Sequence, residues 1–173
     1  MTCAYVVPTK AGTPQDAKRG YRTSRGRSVE GVDLSEGQRA FIEATPSAAM
    51  ITIGPQGVPK VARCGVAIVD GNVWSSGTQA RVRTRRLRTD PRCTLYVHEA
   101  GPRWLALETA VTILDGPDVP EQSVRLFRTM QRRTDGPLLW HGAERDEAEF
   151  QRLMHDEGRV IYQFAIDHAY GPV

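Results

Sequence analysis

Five arginines in one short predicted helix are the residues of this sequence best suited to chemistry. Residues 74–92 read Trp-Ser-Ser-Gly-Thr-Gln-Ala-Arg-Val-Arg-Thr-Arg-Arg-Leu-Arg-Thr-Asp-Pro-Arg, which is typical of a strand end, a turn and a helix. The first turn of a helix has free backbone N–H groups and the positive end of the helix dipole, and both attract anions. The hydroxyls of Ser75, Ser76 and Thr78 lie just before it. The segment therefore predicts a site for a phosphate or a carboxylate.

Arg83 is the best placed of these arginines. Leu87 is expected to face the core, and Arg83 lies one turn earlier on the same side of the helix. A charge at a buried edge needs a partner, and no acid lies at helical spacing from Arg83. The alternative is a purely solvated helix face, because Arg81, Arg85 and Arg88 recur at i, i+4 and i+7. The periodicity leaves both interpretations open.

The elements that must position this helix are mostly strands joined by turns. A capping box, either Asp33 with Glu36 or Ser35 with Gln38, starts the first helix, and Asp70-Gly71 predicts a hairpin turn. Besides the arginine helix, we predict helices at residues 35–44, 121–133 and 144–155, and strands at residues 48–53, 58–69, 73–76, 93–98, 103–114 and 159–165. Hairpin connections dominate this order, so we expect a mainly β fold, a six-stranded antiparallel barrel with added helices.

The predicted strand at residues 103–114 alternates clearly between two faces. The first face is apolar and consists of Leu105, Leu107, Val111 and Ile113. The second face consists of Trp104, Ala106, Glu108 and Ala110. A half-open barrel leaves this second face in need of cover, which predicts a two-fold dimer interface.

Composition and charge narrow the class of protein. The chain has 173 residues, 40% of them hydrophobic, enough for one core. It has no apolar run near the roughly 20 residues of a membrane span, and no signal-peptide pattern. Its three scattered cysteines fit neither a disulfide framework nor a zinc site, and its four histidines lack ligand spacing. We therefore expect a cytoplasmic protein without a metal.

Most of the basic charge lies in the first 32 residues. They carry six basic and two acidic side chains, a net +4, whereas the whole chain is +3, so residues 33–173 sum to −1. This segment is predicted to be a disordered basic extension, with the folded domain at residues 33–173. A near-neutral body argues against nucleic acid as the main partner, and no membrane partner is expected.

In this order, the segments resemble the split β-barrel family of flavin- and deazaflavin-binding proteins. That family includes the pyridoxamine 5'-phosphate oxidases and oxidoreductases that use coenzyme F-420. The resemblance covers residues 34–171. Residues 49–61 are similar to the family's first hairpin, and Ala-Arg-Cys-Gly-Val at 62–66 resembles the strand whose arginine holds the cofactor phosphate in the oxidases. Residues 74–92 are similar to the strand, turn and Lys-x-Arg-Asn-Leu-x-x-Asp-Pro-Arg helix of the deazaflavin branch. The resemblance implies an FMN-binding split barrel.

Two later segments favour the deazaflavin branch. Gly-Pro-Arg-Trp-Leu-Ala-Leu-Glu at 101–108 is similar to a strand of deazaflavin-dependent biliverdin reductases, and residues 166–171 resemble that branch's closing strand. The Trp…Arg-x-Arg-Leu ending of pyridoxamine phosphate oxidases is missing. The resemblance implies a homodimer with coenzyme F-420 at the interface, passing hydride to a conjugated organic acceptor. The alternatives are an FMN-dependent oxidoreductase and a non-catalytic cofactor-binding dimer.

The resemblance also implies which residues touch the cofactor and the substrate. The phosphate is expected near the arginine helix, and the ring edge near the strand backbone at residues 64–66. The cofactor-binding candidates are Arg63, Cys64, Gly65, Val66, Ser75, Ser76, Arg81, Arg83 and Arg86. Arg103 and Trp104 are substrate candidates. The alternative is that Arg103 is an exposed residue on the strand surface and Trp104 an aromatic residue of the dimer interface. For Arg63, the alternative is an exposed cation on a strand. Glu108 is expected to pair with an arginine at the interface.

Two residues depart from the branch pattern. Arg83 stands where the branch has lysine, and Arg86 where it has asparagine. Arginine brings a planar fork and lysine a point charge, so the two are not equivalent at a phosphate. The first departure keeps a positive charge and the second adds one, which suits the anionic phospholactyl-glutamate tail of the deazaflavin. The segment at residues 136–142 matches nothing in the family pattern.

Overall fold

Nine strands and four helices make up the part of the chain that the computed structural model describes, residues 32–173. The helices are α1 (Glu36–Ala44), α2 (Val82–Thr89), α3 (Val119–Gln131) and α4 (Glu147–Asp156). The strands are β1 (Ser47–Ile53), β2 (Pro59–Gly65), β3 (Ala67–Val69), β4 (Asn72–Thr78), β5 (Arg92–His98), β6 (Trp104–Leu114), β7 (Leu138–Trp140), β8 (Ala143–Arg145) and β9 (Arg159–Tyr170). The predicted basic extension lies outside the described residues except for Val32, whose N–H donates to the Ile166 carbonyl at 2.8 Å.

Seven of the strands form one antiparallel sheet in the order β2-β1-β5-β6-β9-β4-β3. Its two edge strands, β2 and β3, are consecutive in the chain and separated only by Val66. A single residue cannot span a flat seven-stranded sheet, whose neighbouring strands lie about 4.8 Å apart. The sheet therefore curls until its edges meet, which gives the predicted antiparallel split barrel, with seven strands where six were expected.

The additional strand arises at residues 58–69, where one long strand was predicted. That prediction was wrong, because the segment divides at Val66 into β2 and β3, on opposite edges of the sheet. The Val66 side chain is fully buried and its N–H donates to the Pro46 carbonyl at 3.2 Å. Gly65 has Met130 of α3 packed against its Cα, where a Cβ would collide. The chain therefore turns inward at this point.

The barrel interior is the main hydrophobic core. Met50, Leu95, Leu105 and Leu107 are fully buried there, and the apolar face predicted for β6 faces this interior. Helix α1 contributes Phe41 and Ile42 to it, and its N-terminus has the capping box of Ser35 and Gln38, the second of the two predicted alternatives.

Helices α3 and α4 form a second layer outside the barrel. Leu126 of α3 packs against Trp74 and Ile161 of the sheet, while Phe150 of α4 packs against the hairpin residue Leu138. The hairpin of β7 and β8 was not predicted. Because residues 143–145 form β8, helix α4 begins only at Glu147, with the Asp146 carboxylate accepting from the Glu149 N–H at 2.8 Å. None of the four helices in residues 32–173 is both long and apolar enough to cross a membrane.

Candidate functional site

A cleft of about 490 Å³ lies between one wall of the barrel and the outer helical layer. Residues from β2, β4 and α2 line one side, and residues from α3, the hairpin and the start of β9 line the other. The lining residues are Arg63, Cys64, Gly65, Ser76, Thr78, Arg81, Arg83, Phe127, Met130, Trp140, His141, Glu157 and Arg159. Four of these side chains are arginines and only one is a carboxylate, so the cleft is strongly positive.

Helix α2 is fixed at the cleft by a buried contact with β9. The Tyr162 hydroxyl lies 2.5 Å from Thr84 Oγ1, which itself donates to the Thr78 carbonyl at 2.7 Å. Thr84 thus uses its proton on the carbonyl and accepts from Tyr162. Gly77 makes room for this pair, because a Cβ there would collide with the Tyr162 hydroxyl. With Leu87 buried as predicted, these contacts set where the arginines of α2 point.

Arg83 projects from α2 into the cleft without a carboxylate partner in residues 32–173. Its Nη1 donates to the Arg63 carbonyl and its Nη2 to the Ser76 carbonyl, both at 3.4 Å. Its Nε is buried and has no hydrogen-bond partner. The guanidinium also lies over the Tyr162 ring, 5.8 Å from its centroid. Neutral carbonyls orient this cation but leave its charge uncompensated.

Arg159 is a largely buried charge of the cleft, with only 9% of its side chain exposed. Its Nη2 donates to Ser76 Oγ at 2.9 Å, and its Nη1 lies 3.6 Å from Glu157 Oε2. Its Nε is buried without a partner. Burial lowers the pKa of Arg159; Glu157 opposes this effect, and the nearby charges of Arg81 and Arg83 add to it. Three arginines therefore repel one another at a place where a bound anion would stabilise all of them.

Aromatic side chains form the opposite wall of the cleft. The Trp140 indole donates to Glu157 Oε1 at 2.8 Å and packs edge-on against Phe127, with centroids 5.0 Å apart. The Arg159 guanidinium lies 4.9 Å from the Trp140 centroid and 5.9 Å from that of Phe127. His141 follows Trp140 at the hairpin turn and lies 3.7 Å from Glu157. The cleft thus combines a polar, cationic side with an aromatic one.

Six of the predicted cofactor-binding residues lie together on this cleft: Arg63, Cys64, Gly65, Ser76, Arg81 and Arg83. Ser75 and Val66 do not line it. Alternation along β4 puts Ser75 on the face opposite Ser76, where it is fully buried near the Cys64 thiol. Burial raises the pKa of that thiol, against the opposite effects of Ser75 and of the Arg83 charge. Arg86 is half-buried on α2 and also lies off the cleft.

The two substrate candidates lie elsewhere. Arg103 pairs with Glu99, Nε to Oε1 at 2.6 Å, and this bond lowers the pKa of Glu99 and raises that of Arg103. Trp104 packs between Tyr96 and Tyr170 on the outer face of the sheet, with centroids 5.8 and 5.9 Å away. Neither residue lines the cleft.

Sequence reasoning missed the far side of the cleft. The residues it did not name are Phe127, Met130, Trp140, His141, Glu157 and Arg159. Arg159 could have been noticed as a charged residue at the first position of an otherwise mostly apolar strand. Its pairing with Thr78 across β4 and β9 depends on strand order, which no local pattern in the sequence contains.

A model of the family described as pyridoxamine 5'-phosphate oxidase matches residues 34–168 of the chain. The chain therefore belongs to this family, in agreement with the curled antiparallel sheet and the cleft beside α2. No curated protein matches the sequence significantly.

Solved structures share this fold at low sequence identity. A conserved hypothetical protein from Mycobacterium tuberculosis has a TM-score of 0.61 and 22% identity, covering 84% of this chain and 88% of its own. A protein described as an F420 reductase has a TM-score of 0.56 and 22% identity, covering 79% and 98%. A protein from Mesorhizobium loti described as FAD-binding has a TM-score of 0.52 and 16% identity, covering 80% and 94%. These similarities show the split-barrel fold.

Proposed function

We propose that this protein is an oxidoreductase that binds reduced coenzyme F-420 in the cleft and reduces a conjugated organic acceptor. The observation that carries the proposal is the set of arginines that converge on the cleft with too little negative charge to balance them. Arg83 and Arg159 each have a buried Nε without a partner, and buried polar groups are normally satisfied. An anionic cofactor beside Arg83 would supply negative charge and acceptor atoms on the α2 side of the cleft.

The cofactor phosphate is assigned to the α2 side of the cleft. Arg83 and Arg81 provide guanidinium forks, which suit phosphate oxygens, and Ser76 provides a hydroxyl. Arg63 flanks them, with its Nε donating to Ser47 Oγ at 3.2 Å. Val66 does not reach the cleft, so any contact of the ring edge with residues 64–66 would involve the backbone of Cys64 and Gly65 or the Cys64 side chain.

A bound reduced deazaflavin donates a hydride, while the protein binds, orients and shields the reactants. The acceptor would gain two electrons with the hydride and take a proton from water. Coenzyme F-420 is preferred to FMN because its long anionic tail suits the positive charge that Arg81 and Arg83 bring to the cleft. The neighbour described as an F420 reductase agrees with this choice.

The functional unit is proposed to be a homodimer in the cytoplasm, with the cofactor near the subunit interface. Glu108 has no ion-pair partner within residues 32–173 and is exposed on the outer face of β6. It is therefore available to pair with an arginine of a second subunit. Cys64 and Cys93 are free thiols, consistent with a reducing compartment.

Titration of the purified protein with F-420 and with FMN, followed by fluorescence, tests the cofactor assignment. We expect saturable binding of F-420 and markedly weaker binding of FMN. Tight FMN binding would instead support the FMN-dependent oxidoreductase. Binding of F-420 without turnover of any conjugated acceptor would support the non-catalytic dimer, and binding of neither cofactor would contradict the proposal.

A further inference from the structure

The β7–β8 hairpin gives the cleft a wall that does not belong to the arginine side. Leu138 anchors the hairpin in the outer core, fully buried against Phe150. His141 and Gly142 form the two-residue turn, both with positive φ, 49° and 81°, as in the tight hairpin turns that match strand twist. This rigid turn places Trp140 and His141 at the cleft. The hairpin therefore contributes two side chains to the wall of the cleft.

Arg159 lies where this wall meets the barrel. It is a cation that is nine-tenths buried, lines the cleft and has a free Nε donor. Both arginines contact Ser76, Arg159 through its hydroxyl and Arg83 through its carbonyl. They differ in their aromatic neighbours, because Trp140 and Phe127 cover one side of Arg159, whereas Arg83 lies over the Tyr162 ring. Glu157 compensates part of the Arg159 charge. The remaining positive charge therefore acts in an apolar, aromatic setting.

We propose that Trp140, Phe127, Met130 and Arg159 form the acceptor subsite of the cleft, which takes a planar conjugated molecule bearing a carboxylate. The carboxylate would pair with the Arg159 guanidinium, and the conjugated body would lie against the aromatic wall and Met130. A monoanion with an apolar body loses less hydration on entering such a setting than a phosphate dianion does. The proposal rests on the proposed function, since an acceptor subsite needs a hydride donor bound beside it.

The same aromatic wall could instead hold the cofactor. Both the cofactor tail and the acceptor carry carboxylates, so the experiment must separate the two. The proposal assigns the cofactor phosphate to Arg81 and Arg83 on α2, and the acceptor to Arg159 and Trp140. Substitutions on the two sides of the cleft should therefore affect different ligands.

Calorimetric titration of the full chain with trans-cinnamate tests the subsite directly. The comparison probes are cinnamyl alcohol, which keeps the conjugated plane without the charge, and 3-cyclohexylpropanoate, which keeps the charge without the plane. We expect trans-cinnamate to bind at least tenfold more tightly than either probe, in the absence of cofactor and with F-420 bound. Equal binding of all three, or displacement of trans-cinnamate by F-420, would overturn the proposal.

Variants on both sides of the cleft complete the test. Arg159→Gln should weaken trans-cinnamate roughly 10- to 150-fold, the range for a hydrogen bond to a charged group, and Trp140→Leu roughly 2- to 12-fold. Arg83→Gln should weaken F-420 and leave trans-cinnamate within about twofold. Leu139→Ala is the matched control, because Leu139 lies next to Trp140 on the hairpin but is exposed and off the cleft; it should change neither ligand. Circular dichroism checks that each variant folds.

The outcomes separate this proposal from the proposed function. If trans-cinnamate binds in a way that depends on Arg159 while neither F-420 nor FMN binds, the proposed oxidoreductase function is contradicted. The assignment of a carboxylate-binding site at Arg159 would then still stand. Binding of F-420 without binding of trans-cinnamate would keep the oxidoreductase and overturn the subsite. A fall in F-420 affinity in Trp140→Leu as large as the fall for trans-cinnamate would mean that the wall holds the cofactor. Should Arg159→Gln fail to fold, Arg159→Lys keeps the charge without the fork and should weaken trans-cinnamate by an intermediate factor.

Discussion

Arg83 and Arg88 are two arginines of one helix with different environments. Arg83 is half-buried at the cleft, and only backbone carbonyls accept its hydrogen bonds. Arg88 lies on the exposed side, where it pairs with Asp115 at 2.9 Å and donates to Gln79. An exposed, already paired charge contributes little to binding a ligand elsewhere. The two positions therefore separate a phosphate site from a charged surface.

We predict that Arg83→Ala weakens F-420 binding by about 1.5–3 kcal/mol, roughly 10- to 150-fold in Kd, because a charged hydrogen bond is lost. Arg83→Lys should be intermediate, since the charge remains but the fork does not. Arg88→Ala is the control and should cost far less. The measurement is fluorescence titration of each variant. Small, equal effects at both positions would place the phosphate away from α2.

The buried thiol of Cys93 leads to a separate prediction about how the free energy of unfolding changes at alkaline pH. Burial, reinforced by neighbouring Cys64, raises the pKa of Cys93 from 9.0 to about 12. Between these two pH values the folded protein keeps a proton that the unfolded chain has lost, so stability falls as pH rises, by up to ~1.4 kcal/mol per pH unit. Below about pH 9 the thiol makes no pH-dependent contribution.

Chemical denaturation from pH 8 to pH 10.5 measures this slope. We expect Cys93→Ala to show a shallower loss of stability above pH 9 than the parent protein. The cavity left by the substitution lowers the stability at every pH and does not mimic a change of slope. Parallel curves for the two proteins would mean that folding does not raise the pKa of Cys93.

At the scale of elements, the position of α2 depends on one glycine in β4. Gly77 faces the Tyr162 hydroxyl, and a methyl group there would push Tyr162 away from Thr84. We predict that Gly77→Ala lowers the free energy of unfolding by about 1–3 kcal/mol, the usual cost of overpacking. It should also weaken F-420 binding, because the arginines of α2 would shift. Thermal unfolding and fluorescence titration report the two effects.

Gly37 provides the matched control for this substitution. It lies inside helix α1, where an added Cβ would meet nothing within 4 Å. Gly37→Ala should raise stability by about 0.5–1 kcal/mol, because alanine favours the helix, and should leave binding unchanged. If Gly77→Ala were as harmless as Gly37→Ala, the Tyr162–Thr84 contact would not be what holds α2.

Local patterns in the sequence were enough to predict α2 and the turn that leads into β4. The Leu87 side chain of α2 is buried, as its spacing predicted. The Asp70-Gly71 turn joins β3 to β4, as expected. The local pattern did not show the division of residues 58–69, in which the first half pairs with β1 and the second half with β4. The hairpin at residues 138–145 was missed since its strands have three residues each, too few to show a period.

At the scale of the whole molecule, the outer face of the sheet has a partly exposed group of aromatic side chains. Tyr96 and Tyr170 are the cross-strand neighbours of Ala106, and they bury it although it was expected to need cover. Trp104 packs between the same two rings, and 41% of Tyr170 remains exposed. The aromatic face thus covers its own alanine and still presents apolar surface to a partner.

We predict that this face pairs two copies of the chain about a two-fold axis, as the resemblance to the family implies. Light scattering during size-exclusion chromatography should give a dimer at micromolar concentration for the parent protein and a monomer for Trp104→Glu, because a buried carboxylate without a partner disrupts the contact. Leu139→Glu adds the same charge at an exposed position away from this face and should remain a dimer. If the monomeric Trp104→Glu also loses F-420 binding while its thermal unfolding is unchanged, the second subunit is part of the cofactor site. A parent protein that is monomeric at this concentration would contradict both the dimer and a site shared between subunits.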